Sequence, residues 1–184
     1  MNIDQFWQII DSVHAKSGGD MDRKCELLKE ELSGLGDDEL RDFIDHFDGA
    51  DAAAYTWPLW GAAYVLHGGC SDDSFSGFRA TLISHGRSVF ERALADPESL
   101  VELSFEDAED VCYEGFQYVK NDVAEQKLGE VPKRNVGLPD EPTGPEWDED
   151  SVDQLYPKLA AKYSSEIGGG GESPDRTKPW WKFW

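Results

Sequence analysis

Cysteine, basic residues and long apolar runs are scarce in this chain of 184 residues, and each shortage argues against a class of protein. Its three cysteines, Cys25, Cys70 and Cys112, form no CxxC pair, which argues against a disulfide framework or a zinc module. Only 17 basic residues stand against 38 acidic ones, and the net charge of −21 repels nucleic acid. No segment has the length and apolarity of a membrane span, and the start of the chain lacks the pattern of a signal peptide. We therefore expect a cytoplasmic protein with no membrane span and no nucleic acid partner.

Apolar residues recur mainly at helical spacing, and the alternation of apolar and polar residues that is typical of strands is almost absent. Apolar residues that recur at intervals of three and four predict a first helix near residues 2–16. Capping residues followed by apolar stripes mark further helix starts at Asp20, Thr56 and Ser71. The fold class is therefore all-α, a single helical domain of about six to eight helices with a flexible C-terminal tail.

The second half of the chain combines helical segments with a connector. Phe105–Gln126 predicts one long helix, and Asp148–Tyr163 predicts the last one. Between them, Gly129–Pro145 contains four prolines and three glycines, a composition typical of an extended surface connector. We divide the chain into a helical domain, residues 1–163, and a Gly-rich tether with an aromatic terminal peptide, residues 164–184.

The terminal peptide carries aromatic residues on a flexible tether, a combination that does not favour a solvated peptide. We expect these residues to dock on the acidic domain or on a neighbouring copy, which would make a homodimer by tail exchange. Insertion into a partner as a peptide anchor and contact with a membrane interface are the alternatives. The tail-docking residues are Trp180, Trp181, Phe183 and Trp184.

The segment His67–Arg87 is richer in chemically active side chains than folding requires. It reads HGGCSDDSFSGFRATLISHGR and contains the pattern GGCSDDxFxxFRxxLIxxGR. Together with IDQFWQIID, YTWPLWGAAYVLHGGC and EWDEDSVDQLYPKLAAKY, it makes the sequence resemble DUF4240, a bacterial family common in actinobacteria. His67 and Thr81 depart from the usual family pattern, in which Asn and Trp stand at these positions. The resemblance covers residues 1–163 and implies a helical domain, and it carries over no catalytic residue because the family has no assigned chemistry.

Seven residues of this segment are candidate binding residues. The glycines before Asp72 and Asp73 suit an anion cradle, although two carboxylates at a helix start are better explained as helix capping. Arg79 lies two helical turns after Asp72 and either clamps a substrate with Arg87 or joins an internal ion-pair network, the interpretation that we favour. The candidates are His67, Cys70, Asp72, Asp73, Arg79, His85 and Arg87.

The same segment contains the atom types of a metal site in His67, Cys70, Asp72 and His85. Their spacing matches no ligand pattern, and a histidine on an inward helical face, such as His85, usually forms a hydrogen bond in the core. The nucleophile motif GxSxG does not occur in the sequence. We therefore expect no metal and no cofactor, and we assign no catalytic residue.

The charge pattern leads to the functional hypothesis. Six acidic residues and no basic residue occupy Glu102–Glu114, a stretch that would suit a basic protein. We expect an acidic protein-binding or regulatory module, similar in character to an inhibitor or immunity protein, with a basic protein as its partner. The alternative is a small-molecule hydrolase or transferase that uses the polar residues of the segment 67–87. An enzyme would require those residues to converge on an open pocket.

Overall fold

Helices form the regular structure of this protein. The computed structural model describes residues 1–105 and 108–167. In this part of the chain the only β-type pairing is one isolated bridge between Thr56 and Thr143. The predicted all-α fold class is therefore confirmed.

Eight of the described helices have seven residues or more, in agreement with the predicted number. Every helix in the described ranges is too short or too polar to cross a bilayer. The elements are α1 (Ile3–Ser17), α2 (Met21–Gly34), α3 (Asp37–Ala53), α4 (Trp57–His67), α5 (Asp72–Ser84), α6 (Arg87–Ala95), a 3₁₀ helix (Pro97–Glu102), α7 (Ala108–Val111), α8 (Gly115–Leu128), α9 (Val152–Leu155) and α10 (Pro157–Ile167).

The helix starts follow from capping side chains. Asp20, Thr56 and Ser71 each accept a hydrogen bond from the backbone N–H three residues later, at 2.6, 3.2 and 3.2 Å. These bonds satisfy backbone donors that have no partner inside the helix. All three predicted helix starts are confirmed.

The single helix predicted over Phe105–Gln126 is wrong, because the chain leaves the helical path between α7 and α8. At this corner the backbone N–H of Tyr113 donates to Oγ1 of Thr81 on α5, at 3.1 Å. The N–H of Tyr113 thus donates to a side chain of α5 and not to the backbone carbonyl that would continue helix α7.

The last predicted helix, Asp148–Tyr163, is also divided. α9 ends before Tyr156, whose φ of −128° and ψ of 62° are not helical, and α10 begins at Pro157. Proline disfavours helical geometry in the residue before it and fits the first turn of the next helix. α10 then continues to Ile167, beyond the predicted end of the domain.

α5 is the central helix. It packs against α1, α3, α4, α6, α7 and α8. Nine of its residues are buried, and Phe75 and Phe78 are almost completely excluded from water. Since the large aromatic rings surround α5, the apolar core follows this helix, and the other helices are arranged around it.

The connector Gly129–Pro145 is held near its end by specific contacts. Near its end, Thr143 exchanges backbone hydrogen bonds with Tyr55 and Trp57, at 3.1 and 2.8 Å. The indole of Trp147 then lies 5.0 Å from the ring of Tyr64, measured between ring centroids. Trp147 therefore anchors the chain after the connector.

At Gly77, the backbone of α5 lies close to the backbone of the α7–α8 corner. A Cβ atom at this position would lie 2.6 Å from the backbone carbonyl oxygen of Cys112. We expect Gly77→Ala to lower the free energy of unfolding by about 1 to 3 kcal/mol through overpacking, as measured by urea denaturation.

The matched control is Gly49→Ala inside α3. A Cβ atom on Gly49 would meet nothing within 4 Å. Alanine should therefore raise the free energy of unfolding by about 0.5 to 1 kcal/mol, because it favours the helix more than glycine does. Equal effects of the two substitutions would show that the contact at Gly77 is not tight.

Candidate functional site

The structure does not bring the seven candidate residues of the segment 67–87 into one site. They are distributed over the end of α4, the loop before α5, both ends and the interior of α5, and the start of α6. Of the seven, His85 alone lines the main cavity described below. Their assignment as binding residues remains a prediction.

The residues before and at the start of α5 serve the local fold. The ring of His67 lies 2.7 Å from the carbonyl oxygen of Gly69, measured from Nδ1. Asp72 and Asp73 are exposed in the first turn of α5. Their negative charge there stabilises the helix through its dipole.

Arg79 belongs to a buried ion-pair network, although its partner is not one of the predicted aspartates. Its side chain is 3% exposed, and Nε donates to Oδ1 of Asp51 on α3 at 2.8 Å. The guanidinium also lies over the rings of Tyr55 and Phe75, 4.8 and 4.9 Å from their centroids. Arg79 points into the core two turns after Asp72, which stays at the surface, so the two side chains do not pair.

The network continues to α8 and to the connector. Arg134 donates from Nη2 to Oδ2 of Asp51 at 2.5 Å and to the carbonyl oxygen of Asp48 at 3.0 Å. Nζ of Lys120 lies 3.1 Å from Oδ1 of Asp48, with both side chains largely buried. Four parts of the chain, α3, α5, α8 and the connector, are thus joined by a network whose charges are buried except for that of Arg134, which is partly exposed.

Arg87 lies outside this network. Its guanidinium is exposed and pairs with Asp4 at 2.6 Å and with Glu91 at 2.7 Å. Because both carboxylates occupy its donors at the surface, Arg87 and Arg79 do not form a common clamp.

The main cavity lies on another side of α5. Its volume is about 600 Å³, and it lies between the α1–α2 turn, the end of α5 and the segment from the 3₁₀ helix to α8. Carboxylates, imidazoles and aromatic rings form most of its wall. They belong to Asp20, Asp22, Glu102, Asp110, His14, His85, Phe105 and Tyr113.

Two neutral histidines form part of this wall. The ring centroids of His14 and His85 are 5.3 Å apart, and the edge of Phe105 meets His85 at 5.7 Å. Burial, and then the nearby charge of Lys24, lowers the pKa of both histidines, for His85 to about 3. Nδ1 of His14 and Nε2 of His85 are buried without a hydrogen-bond partner. At neutral pH the pair adds no positive charge to the cavity.

A buried lysine lies behind the histidines. Lys24 is completely excluded from water, and its Nζ donates to Oγ of Ser84 at 3.0 Å. Burial lowers the pKa of Lys24 to about 8, and the charge of Asp110 partly opposes this shift. One signal in the sequence points to this lysine: it lies on the apolar stripe of α2, three residues after Met21 and four before Leu28.

Tyr113 and Asp22 close the opposite wall. The hydroxyl of Tyr113 donates to Oδ1 of Asp22 at 2.5 Å, and this bond raises the pKa of the tyrosine. The contact joins the start of α2 to the α7–α8 corner. Among the described residues no three histidine, cysteine, aspartate or glutamate side chains are placed to hold a metal ion.

The family comparison agrees with the resemblance seen in the sequence. The family described as "Protein of unknown function (DUF4240)" matches residues 1–126. The chain belongs to the DUF4240 family. No curated protein and no solved structure matches it.

The matched range contains the whole cavity wall and all of the ion-pair network except Arg134. Every residue named in the cavity wall falls within the DUF4240 match. The buried network extends beyond it, because Arg134 lies in the connector. The cavity is therefore a feature of the DUF4240 region itself, whereas the connector adds a contact from outside that region.

The buried network predicts a strong coupling between Asp51 and Arg79. Asp51→Asn leaves the Arg79 guanidinium buried beside a neutral amide, and we expect the free energy of unfolding to fall by about 3 to 5 kcal/mol. The double variant Asp51→Asn with Arg79→Met should lose less than the sum of the single changes, by about 1 to 3 kcal/mol. Urea denaturation of the four proteins measures this difference.

Arg87→Met is the control for loss of an arginine ion pair. Its partners are exposed to water and salt, so the free energy of unfolding should remain almost unchanged. Additive losses at Asp51 and Arg79 would show that the two side chains do not depend on each other.

The neutral state of His85 predicts a pH dependence of stability. An unfolded histidine binds a proton below pH 6.5, whereas folded His85 resists protonation down to about pH 3. The unfolded state therefore binds more protons in this window, and the free energy of unfolding falls as the pH is lowered. The contribution of His85 is at most about 1.4 kcal/mol for each pH unit.

His85→Gln removes this contribution. We expect the free energy of unfolding of the variant to vary less than that of the wild type between about pH 7 and pH 5, as measured by urea denaturation. The slope that remains includes His14, whose pKa is also lowered. Parallel curves for the two proteins would rule out a buried neutral His85.

Proposed function

We propose that this chain is a protein-binding module whose acidic cavity receives a basic side chain of a partner protein. One observation carries the proposal: the ionised side chains named in the cavity wall, those of Asp20, Asp22, Glu102 and Asp110, are all carboxylates. No lysine or arginine lines the cavity in the described part of the chain.

The chemistry of the wall suits a long cationic side chain. The neutral imidazoles of His14 and His85 offer no charge repulsion to it. The rings of Phe105 and Tyr113 provide faces for its apolar stem and for a cation–π contact. At the rim, Glu102 already pairs with Arg92 at 2.8 Å, which shows that this carboxylate can bind a guanidinium.

The acidic stretch Glu102–Glu114 contributes to the same surface. Glu102 and Asp110 line the cavity, and Glu109 and Glu114 are exposed. Glu106 and Asp107 lie outside the described residues. A mainly acidic surface beside a cavity lined by carboxylates would speed the approach of a basic partner and orient it.

The proposal includes a cytoplasmic location and a regulatory role, such as inhibition of the partner. Free thiols at Cys25, Cys70 and Cys112 support a reducing compartment. Docking of Trp180, Trp181, Phe183 and Trp184, with dimerisation by tail exchange, lies outside the described residues. The alternative, an enzyme built on the segment 67–87, is less favoured because only His85 of that segment reaches the cavity.

Two matched variants test whether the cavity is the binding site. Glu102→Gln with Asp110→Asn removes two charges from the cavity wall, and Asp72→Asn with Asp73→Asn removes two charges from the start of α5. The probe is a fluorescein-labelled peptide of alternating arginine and glycine, and fluorescence anisotropy at about 0.15 M salt measures its Kd.

We expect the cavity variant to raise the Kd about tenfold or more, a change of about 1.4 kcal/mol or more. The α5 variant carries the same net charge and should change the Kd less than about twofold, because its carboxylates lie away from the cavity. Equal losses would mean that the peptide senses only overall charge. A larger loss in the α5 variant would place the site at the segment 67–87 instead.

A further inference from the structure

Two carboxylates on α3 each bind a cation of the core with one oxygen and face the connector with the other. Nε of Arg79 donates to Oδ1 of Asp51 at 2.8 Å, and Oδ2 of Asp51 accepts from Nη2 of Arg134 at 2.5 Å. Oδ1 of Asp48 lies 3.1 Å from Nζ of Lys120, and its Oδ2 lies 4.0 Å from Nε of Arg134. The backbone carbonyl of Asp48 also accepts from Nη2 of Arg134, at 3.0 Å. One guanidinium of the connector therefore faces three oxygen atoms of α3.

The next residue of the connector binds one helical turn earlier on α3. Nδ2 of Asn135 donates to both carboxylate oxygens of Asp45, at 2.8 and 2.9 Å. Residues three apart are neighbours on a helix surface, so Asp45, Asp48 and Asp51 form a continuous row, which we call the α3 stripe. The connector thus meets the α3 stripe with a two-residue motif, arginine followed by asparagine.

Cations of the core hold the α3 stripe in place without help from the connector. Arg79, on the central helix, binds one oxygen of Asp51. Lys120, on α8, binds one oxygen of Asp48, and all four of these side chains are largely buried. Without Arg134, the three carboxylates of the stripe would face only these two cations. A guanidinium suits the oxygens that remain, because it donates in several directions from one plane.

The connector itself is held on the stripe by few contacts. Residues 133–141 are all exposed, and so are the apolar side chains of Val131, Val136 and Leu138. The side chain of Arg134 is 33% exposed. A segment that buries no apolar side chain opens at a small cost in free energy. The arginine–asparagine motif can therefore leave the stripe while the helices stay folded.

We propose that the α3 stripe is a binding site for an arginine–asparagine segment of a partner protein, and that Arg134 and Asn135 occupy it in cis. The three carboxylates lie within the DUF4240 match, whereas the motif that fills the stripe lies outside it. The connector is then an autoinhibitory segment, which a partner must displace. The stripe shares no residue with the acidic cavity, so this proposal does not rest on the proposed function.

A peptide copy of the connector tests the site in trans. The probe is fluorescein-labelled VPKRNVGL, the sequence of residues 131–138, and fluorescence anisotropy at about 0.15 M salt measures its Kd. Arg134→Ala with Asn135→Ala empties the stripe in the full-length chain. Lys133→Ala with Val136→Ala is the matched control, because it removes the same charge from the connector and leaves the motif in place. We expect the emptied variant to bind about tenfold or more tightly than the wild type and the control, in which the cis motif competes at high effective concentration.

A second peptide tests the recognition of the guanidinium. Arg134→Lys in the peptide keeps its charge but replaces the planar donors by an ammonium, so its Kd for the emptied variant should be about fivefold higher or more. Asp45→Asn in the emptied variant should raise the Kd of the original peptide about threefold or more. Glu102→Gln with Asp110→Asn in the cavity should change that Kd less than about twofold.

The emptied variant should remain folded, because Asp51 keeps its pair with Arg79, and circular dichroism checks this. Asn135→Ala alone breaks no ion pair and should also tighten binding, by a smaller factor. Equal Kd values for the wild type and the emptied variant, or for the two peptides, would overturn the proposal. A loss of binding confined to the cavity variant would overturn it as well and assign the peptide to the cavity. Failure of the arginine–glycine peptide to bind the cavity would leave these results unaffected, so the two proposals fail separately.

Discussion

A buried ion pair between Arg79 and Asp51 constrains the packing of the helices around α5. Arg79 lies on the central helix and Asp51 lies on α3, so the pair fixes the rotation and height of one helix against the other. A guanidinium removed from water is stable only while its carboxylate and the faces of Tyr55 and Phe75 surround it. A packing that separates Arg79 from Asp51 while keeping it buried would leave that charge unpaired. The ion pair therefore selects one packing more than it adds stability.

The position of the cavity follows from the position of α5. His85 is the C-terminal capping residue of this helix, and Ser84 before it accepts the hydrogen bond of Lys24. Once Arg79 fixes the helix, His85 is held in the cavity wall, and Ser84 is held in the core where it contacts Lys24. Burial lowers the pKa of both histidines, and the charge of Lys24 lowers it further, since a protonated lysine disfavours a second positive charge nearby. This arrangement keeps the imidazoles neutral beside a wall of carboxylates.

Local signals in the sequence predicted the helix starts and missed the features that depend on distant contacts. Asp20, Thr56 and Ser71 act on backbone donors within three residues, so their role is visible in a short window. The break after α7 depends on Thr81, which is 32 residues from Tyr113 in the sequence. No periodicity within Phe105–Gln126 contains that information.

The cavity could not be predicted from the sequence for the same reason, because residues distant in the chain form its wall. The segment 67–87 attracted attention because its polar residues are dense in the sequence, yet α5 points them in different directions: Asp72 to solvent, Arg79 to the core and His85 to the cavity. The cavity carboxylates come instead from the start of α2, the 3₁₀ helix and α7. The burial of charge also sharpens the acidic character of the surface, because three of the 17 basic residues but only two of the 38 acidic ones are buried in the described ranges. The fold thus takes cations out of contact with water in larger proportion than carboxylates. Among the described residues, the wall of the cavity contains no lysine or arginine, and the buried Lys24 lies behind it.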